Sequence, residues 1–414
     1  MVVEALVIMI KERYDHICYI NLMEQIWSFY MLLNDSQRKG VIYTRSRNLI
    51  IEEVTDDFLK KLKTNYPNGC KPSILASDLI DAVNDVIALE NEGRSKGNKL
   101  KPLIDITPLQ AAALILSTAK VICVDTNPLE EKDEHKMLAV YADKGEKRGT
   151  YSTDENDIKK LIQAYSNLMT EHEINSTIDN LMRYAKTKIE NDNRDLVAVN
   201  NGIFDFKNKV LLPFSPEYVF LSKSNVNYVH GATSPVIVLD DGTIWDIESW
   251  IRSISDDDEI EQLLWQILSA IVRPHVNFDK AIWLTSYKGC NGKGCFSQLC
   301  RSLLGPKVCV SIPISRFSRE FGLQSLVGAK AIITDENNVN EFGKECENIK
   351  ALVTHDAMYI NRKNKSPISY RFNGLMIQCL NAIPRFADRT ESFYRRQIIV
   401  PSSSSRVEIP CSVR

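Results

Sequence analysis

The chain has 414 residues, of which 44% are hydrophobic and 25% charged, and its formal net charge is −2. That length allows two or three domains, and that composition is ordinary for a globular protein. The near-neutral balance excludes an overall electrostatic attraction to nucleic acid, so any such surface must be local.

The 10 cysteines include no Cys-x-x-Cys pair. Cys290, Cys295 and Cys300 are evenly spaced but have no histidine nearby, which argues against zinc. Unpaired cysteines suit a reducing compartment. An apolar run at 5–10 is broken by Lys11, Glu12 and Arg13 and lacks the flanks of a signal peptide. No stretch is long enough to cross a bilayer, so a cytoplasmic protein without a membrane partner is expected.

Residues 1–150 read as mainly helical. In "DLIDAVNDVIALENE" (78–92), Leu79, Ala82, Val86 and Leu89 would share a face. Gly and Lys gather at 93–101 in a predicted loop, and 157–190 reads as two helices. Around 195–232, "LVAVNNGIFDFKNKVLLPF" breaks short apolar runs at Asn200-Asn201-Gly202 and Lys207-Asn208-Lys209, which predicts hairpins. Residues 151–275 are thus a helical and β-rich connector. It closes with a helix over 255–274, capped by Ser255 or Asp256 and ended by Pro274. The acids Asp256–Asp258 fit the start of that helix better than a metal cluster.

From 276 to 401 strands and helices alternate. Strands are expected at 281–287, 307–312, 329–335, 375–381 and 396–401, with a helix at 294–305. This alternation predicts an α/β domain with a mostly parallel, five-stranded sheet and ligands beyond the carboxyl ends of its strands.

The loop "YKGCNGKGC" (287–295) lies between a predicted strand and helix. Its Gly292-Lys293 pair suggests a phosphate loop, in which backbone N–H groups and a helix N-terminus face an anion and lysine reaches the outer phosphates. Tyr287 stands in the first glycine slot and Gly294 in the Ser/Thr slot. "AIITDENN" then puts Asp335 and Glu336 at a strand end, where one carboxylate can hold Mg²⁺ and the other orient water. Asn381 ends another strand, and Arg395-Arg396 precede the last one. Between them, "NIKALVTHDAMYINRKNKSPISYRF" (348–372) interleaves Lys350, Arg362, Lys363, Lys365 and Arg371 with Tyr359 and Tyr370. A basic hairpin with aromatics suits a nucleic-acid backbone.

In this order, "NGKG", "ITDENN", the basic segment, "CLNAIPRF" and "FYRRQIIVP" resemble the superfamily 3 helicases, closest to the phage, plasmid and poxvirus primase–helicases. "LVAVNNGIFDF" and "EQLLWQILSAIV" resemble the region preceding that family's ATPase core, so the resemblance runs over about 150–401. It implies an AAA+-like ATPase that forms a ring, usually a homo-hexamer, around single-stranded or forked DNA. It implies ATP and Mg²⁺ as cofactors, and a separate primase or other replication protein as a further partner. Gly289, Cys290, Asn291, Gly292, Lys293, Gly294 and Cys295 would then bind ATP. Asp335 would hold Mg²⁺, Glu336 would act as base and Asn381 as sensor, and Arg396 or Arg395 would reach a neighbour's site. Arg362, Lys363 and Lys365 would grip DNA in the pore.

This chain departs from the pattern in two places. Cys295 replaces the Thr that follows Gly in some relatives, and a thiol is a poor Mg²⁺ ligand beside a hydroxyl. The tail 402–414, "SSSSRVEIPCSVR", is unlike the helical continuation of relatives and reads as truncated or foreign. The N-terminal region has no paired-carboxylate or zinc motif, which favours helicase over primase. The competing reading is an ATP- and DNA-binding initiator or regulator with little or no hydrolysis.

Overall fold

The computed structural model describes residues 45–127, 136–286, 292–337, 342–343, 346–363, 365–383 and 385–402. The chain divides into two compact units, one of residues 1–114 with 164–169 and one of 115–163 with 170–414.

The first unit is helical where described, with α1 (Arg47–Asn65) and α2 (Pro72–Glu92) packed together and leading into α3 (Pro108–Thr118). Ser46 caps α1 by accepting the Leu49 N–H. The buried side of α2 is Leu75, Leu79, Val83 and Ile87, whereas Leu89 is exposed and Ala82 and Val86 are half-buried. The expected face was therefore offset. Stepping by four residues keeps Leu75, Leu79, Val83 and Ile87 in one row along the helix, and that row meets the core. The 93–101 segment is a loop as expected, but a fixed one. Asn91 donates to Leu100 O at 2.9 Å and accepts from Leu100 N at 2.7 Å, and Asn84 clasps Leu103 in the same two-way manner.

The second unit begins with β1 (Val121–Asp125), β2 (Lys136–Tyr141) and β3 (Tyr151–Ser152), then α4 (Glu155–Gln163), α5 (Glu171–Tyr184) and β4 (Lys186–Ile189). These strands form one sheet in the order β3-β2-β1-β4, with β1 and β4 parallel and the other pairs antiparallel. The described part of the region up to 150 is mostly helical but also holds the strands β1 and β2, and the second of the two helices expected over 157–190 stops at Tyr184, before β4. "VICVD" is a short unbroken apolar run, which periodicity cannot tell from a buried helix segment. "KTKI" has no strand pattern of its own and takes its form from backbone pairing with β1.

The hairpins expected near 195–232 are present as the meander β5 (Leu196–Val199), β6 (Gly202–Asp205) and β7 (Val210–Leu212). A small ribbon of β8 (Ile237–Val238) and β9 (Ile244–Trp245) follows, then α6 (Ile247–Ser253) and α7 (Asp258–Ile271). The cap of α7 is Asp257, which accepts the Glu259 N–H at 2.8 Å, rather than Ser255 or Asp256. Ser255 instead accepts the Asp257 N–H and shapes the turn before the cap.

The remaining elements are β10 (Ala281–Thr285), α8 (Lys293–Leu304), β11 (Cys309–Val310), β12 (Ala331–Thr334), β13 (Phe342–Gly343) and α9 (Cys346–Val353). They continue with β14 (Ala357–Arg362), β15 (Lys365–Arg371), β16 (Leu375–Leu380), β17 (Arg385–Phe386), α10 (Glu391–Tyr394) and β18 (Gln397–Pro401). Five of these strands form a sheet in the order β11-β12-β16-β10-β18, with every neighbouring pair parallel. The α/β expectation, including the strand number, holds.

Parallel strands covered on both faces read as continuous apolar runs, as "AIWLT", "AIIT" and "LMIQCL" do. Ile282, Leu284, Ile333 and Ile377 pack with Leu264, Ile267, Phe296 and Cys300 of α7 and α8. On the other face Trp283, Ile332 and Met376 pack with Ile349 and Leu352 of α9 and with Met358, Ile360 and Ile368 of the β14–β15 hairpin. The resulting three layers leave the carboxyl ends of β10, β12 and β16 at one edge. Among the described residues, no helix is long and apolar enough to cross a membrane.

Candidate nucleotide site and basic hairpin

Three strand ends build the candidate site. β10 leaves the sheet at Ser286, whose N–H donates to Leu380 O of β16. Gly289, Cys290 and Asn291, expected to bind ATP, lie outside the described residues. The chain re-enters at Gly292 with φ 79°, a left-handed conformation that favours glycine, and α8 starts at the next residue. The first-turn amides of α8 therefore face the edge where β10 and β16 end.

Lys293 is 9% exposed. Its Nζ donates to Asn381 Oδ1 at 3.3 Å and to Ser286 O at 3.4 Å. Burial pushes its pKa below the ordinary lysine value. The residue read as a sensor is thus in contact with the residue read as the phosphate lysine, although 88 positions separate them. Beneath them, Ser297 Oγ lies 3.1 Å from Cys379 Sγ. Gly294 and Cys295 are exposed, and a Cβ added at Gly294 would meet no atom of the described residues within 4 Å.

Asp335 and Glu336 follow β12, the neighbour of β16, and both are exposed. Asp335 is held by Arg301 of α8, with Nη2 3.0 Å from Oδ2 and Nη1 3.3 Å from Oδ1. Arg301 Nη2 also donates to Ile333 O at 2.6 Å. Asn337 fixes the chain just beyond, donating to Gln378 Oε1 at 2.9 Å and Cys379 O at 3.1 Å while accepting the Ile314 N–H. Neither Arg301 nor Asn337 was singled out from the sequence. The helical spacing of Arg301, about two turns beyond Lys293 on α8, was the available signal.

Arg395 and Arg396 lie elsewhere. Arg396 O accepts the Ala281 N–H, so the pair sits at the amino end of β10 and β18. Five residues of strand, about 16 Å at ~3.3 Å per residue, separate that end from Ser286. The structure does not bring these arginines to the Lys293 side of their own sheet. Arg395 is exposed, and Arg396 folds back on Ser392, with Nη1 2.7 Å from its Oγ.

The basic segment is a hairpin, with β14 and β15 antiparallel and its tip at Lys363. Its inner face is core. Lys363 is exposed, its N–H donates to Gln324 Oε1, and Arg362 is half-buried. Arg362 pairs with Lys365 across the strands, beyond an irregularity at Ile360. The two tyrosines differ. Tyr359 is 71% exposed, whereas Tyr370 is 4% exposed and accepts the Gly328 N–H through its hydroxyl. Strand alternation separates them, because Tyr359 points out and Tyr370 points in. Tyr370 is therefore not available for stacking, and burial drives its pKa upward. Lys350 is likewise committed, to an ion pair with Asp388 at 2.9 Å.

The residues present suit a nucleotide phosphate: a desolvated lysine, a strand-end asparagine and the first turn of a helix meet at one sheet edge. They suit Mg²⁺ less well. Asp335 supplies a carboxylate, but Gly294 and Cys295 offer no hydroxyl.

No curated protein matches the chain. Among solved structures it is similar to the A form apo structure of the NrS-1 C terminal region, with 12% identity, a TM-score of 0.40, and coverage of 72% of this chain and 62% of that one. A further apo structure of that region gives 12% identity and a TM-score of 0.41 over 72% and 63% of the two chains. The chain thus spans less than two thirds of the length of those structures. Residues 284–396 match a family of unknown function, DUF5906. Residues 10–271, more than half of the chain, match the family described as D5 N terminal like. The relation to primase–helicases read from the motif order is borne out: the chain belongs to the D5 N terminal-like family, the N-terminal region of D5-type primase–helicases.

Proposed function

We propose that the chain is an ATP-dependent DNA translocase that unwinds DNA as a ring, in the replication of a phage or mobile genetic element. The observation that carries this reading is the contact between Lys293 Nζ and Asn381 Oδ1 at the carboxyl ends of β10 and β16, one strand from Asp335. Phosphoryl transfer is catalysed mostly by positioning and by charge placed where it develops. Lys293 and the first-turn amides of α8 would hold the β- and γ-phosphates. Asn381 would orient the terminal phosphate or the attacking water, and Glu336 would take that water's proton. Mg²⁺, held by Asp335, would neutralise part of the phosphate charge. Arg395 or Arg396, at the far end of the sheet, would act on a neighbouring subunit, which agrees with a homo-hexameric ring.

Lys363 at the hairpin tip, with Arg362, Lys365 and the exposed Tyr359, would contact single-stranded or forked DNA. A separate primase or replication protein is the further partner proposed, and the host cytoplasm the location. The test is ATP hydrolysis by the purified chain with and without single-stranded DNA, alongside the mass of the assembly. DNA-stimulated turnover by a ring supports the reading, and DNA-independent binding of a monomer without turnover overturns it.

A second reading, an ATP- and DNA-binding initiator or regulator that hardly turns over, is favoured by one observation. The Asp335 carboxylate is engaged by Arg301, and the hydroxyl that would help to hold Mg²⁺ is missing at 294 and 295.

A further inference from the structure

We infer that Arg301 controls the metal affinity of the nucleotide site by competing with the divalent cation for Asp335. The inference rests on the nucleotide reading above and adds to it a residue that the motif order does not mark.

Arg301 lies eight positions after Lys293, about 12 Å along α8 at ~1.5 Å per residue. Side chains on a helix lean toward its N-terminus, so the arginine reaches back to the end of β12. There the guanidinium meets both oxygens of one carboxylate, at 3.0 and 3.3 Å. This paired geometry is the strong form of an arginine–carboxylate contact. A third bond, from Nη2 to Ile333 O at 2.6 Å, does not depend on Asp335. The guanidinium therefore keeps an anchor on the strand when the carboxylate turns away. Only 19% of the Arg301 side chain is exposed, so solvent screens its charge weakly.

A divalent cation that approaches Asp335 must take an oxygen from this arginine and then remain beside a fixed positive charge. Both effects lower metal affinity, and the absent hydroxyl ligand lowers it further. Arg301 and Lys293 together leave the edge already rich in positive charge before any metal binds. Nucleotide binding should then depend only shallowly on the divalent cation. Arg301 is a positioning residue in this scheme, since it acts through Asp335.

The test uses Mn²⁺, an oxygen-preferring cation that reports its own binding by electron paramagnetic resonance. The full chain is titrated with Mn²⁺ in the presence of a non-hydrolysable ATP analogue. Arg301→Met should lower the Mn²⁺ concentration at half-saturation by about tenfold, the order expected for removing a charge next to the ligand. Arg301→Lys, which keeps the charge, should stay within about threefold of the parent chain. Asp335→Asn in the parent chain should weaken Mn²⁺ binding. If Arg301→Met does not fold, Arg301→Gln, which can still donate to Ile333 O, carries the same expectation. Unchanged or weaker Mn²⁺ binding in these neutral variants overturns the inference while leaving nucleotide binding intact. A parent chain that holds no analogue at any Mn²⁺ concentration overturns the nucleotide reading, and the inference with it.

Discussion

At the amino ends of the parallel strands, Lys330 is 3% exposed and its ammonium meets both oxygens of Glu190, at 2.6 and 2.8 Å. At the carboxyl ends, Lys293 is 9% exposed, yet its bonds to Ser286 and Asn381 go to neutral oxygens at 3.4 and 3.3 Å. Both lysines are cations taken out of water in one unit of one chain. The first is neutralised by a carboxylate and joins the four-stranded sheet, through Glu190 just after β4, to the start of β12. The second is desolvated, with its pKa pushed down, and donates to the neutral oxygens of Ser286 and Asn381. A buried cation facing neutral oxygens destabilises the fold and attracts an anion. The two lysines are both buried, and the contrast sets the Glu190-bound Lys330 against the Lys293 that is proposed to bind phosphate.

Substitutions at the two ends should have opposite signatures. The largest expected effect is at Lys293→Ala, which should reduce ATP turnover by about 100-fold or more without lowering the urea midpoint of unfolding. Unchanged turnover would remove Lys293 from the site. Glu190→Ala should do the reverse. It strands a buried ammonium, so stability should fall by about 3 kcal/mol in urea denaturation, with nucleotide affinity at low temperature retained. A loss below ~1 kcal/mol would mean that Lys330 finds water or another partner.

Asn381→Ala should sharpen the comparison further. It removes the dipole that faces Lys293, and kcat should drop by about tenfold to a hundredfold with a smaller change in KM. A change confined to KM would make Asn381 a binding group. At the hairpin, Lys363→Ala with Lys365→Ala should weaken single-stranded DNA binding about tenfold and flatten its salt dependence by roughly 1.4 logarithmic units per decade. An unaltered salt slope would place the DNA elsewhere. The smallest effect is expected from Gly294→Thr. An added Cβ meets no atom of the described residues within 4 Å, and the hydroxyl would offer the Mg²⁺ ligand that 294 and 295 lack, so turnover should rise by about twofold to fivefold. A fall in turnover would show that the hydroxyl is not what this site lacks.

Much of this arrangement was legible in the sequence. "AIWLT", "AIIT" and "LMIQCL" are mostly apolar because strands buried on both faces have no solvent side, and they were read as strands of a parallel sheet. Lys293, Asp335 and Asn381 could be nominated because each follows such a strand, and strand ends are where these folds expose polar groups. Other features were not legible. The β1 and β4 strands escaped notice because one is too short for periodicity to identify and the other is specified by its partner. The offset face of α2 and the burial of Tyr370 depend on which neighbour each side chain meets.

The sequence alone determined the alternating α/β order, the place of the loop between strand and helix, and the absence of a hydroxyl after Lys293. These are local properties of residue type and spacing. Only the tertiary structure decided that Lys293 touches Asn381, that Arg301 holds Asp335, and that Lys330 meets the Glu190 carboxylate. The physical reason is that desolvation and pairing depend on groups brought together across 88, 34 and 140 positions of chain, which no local pattern encodes.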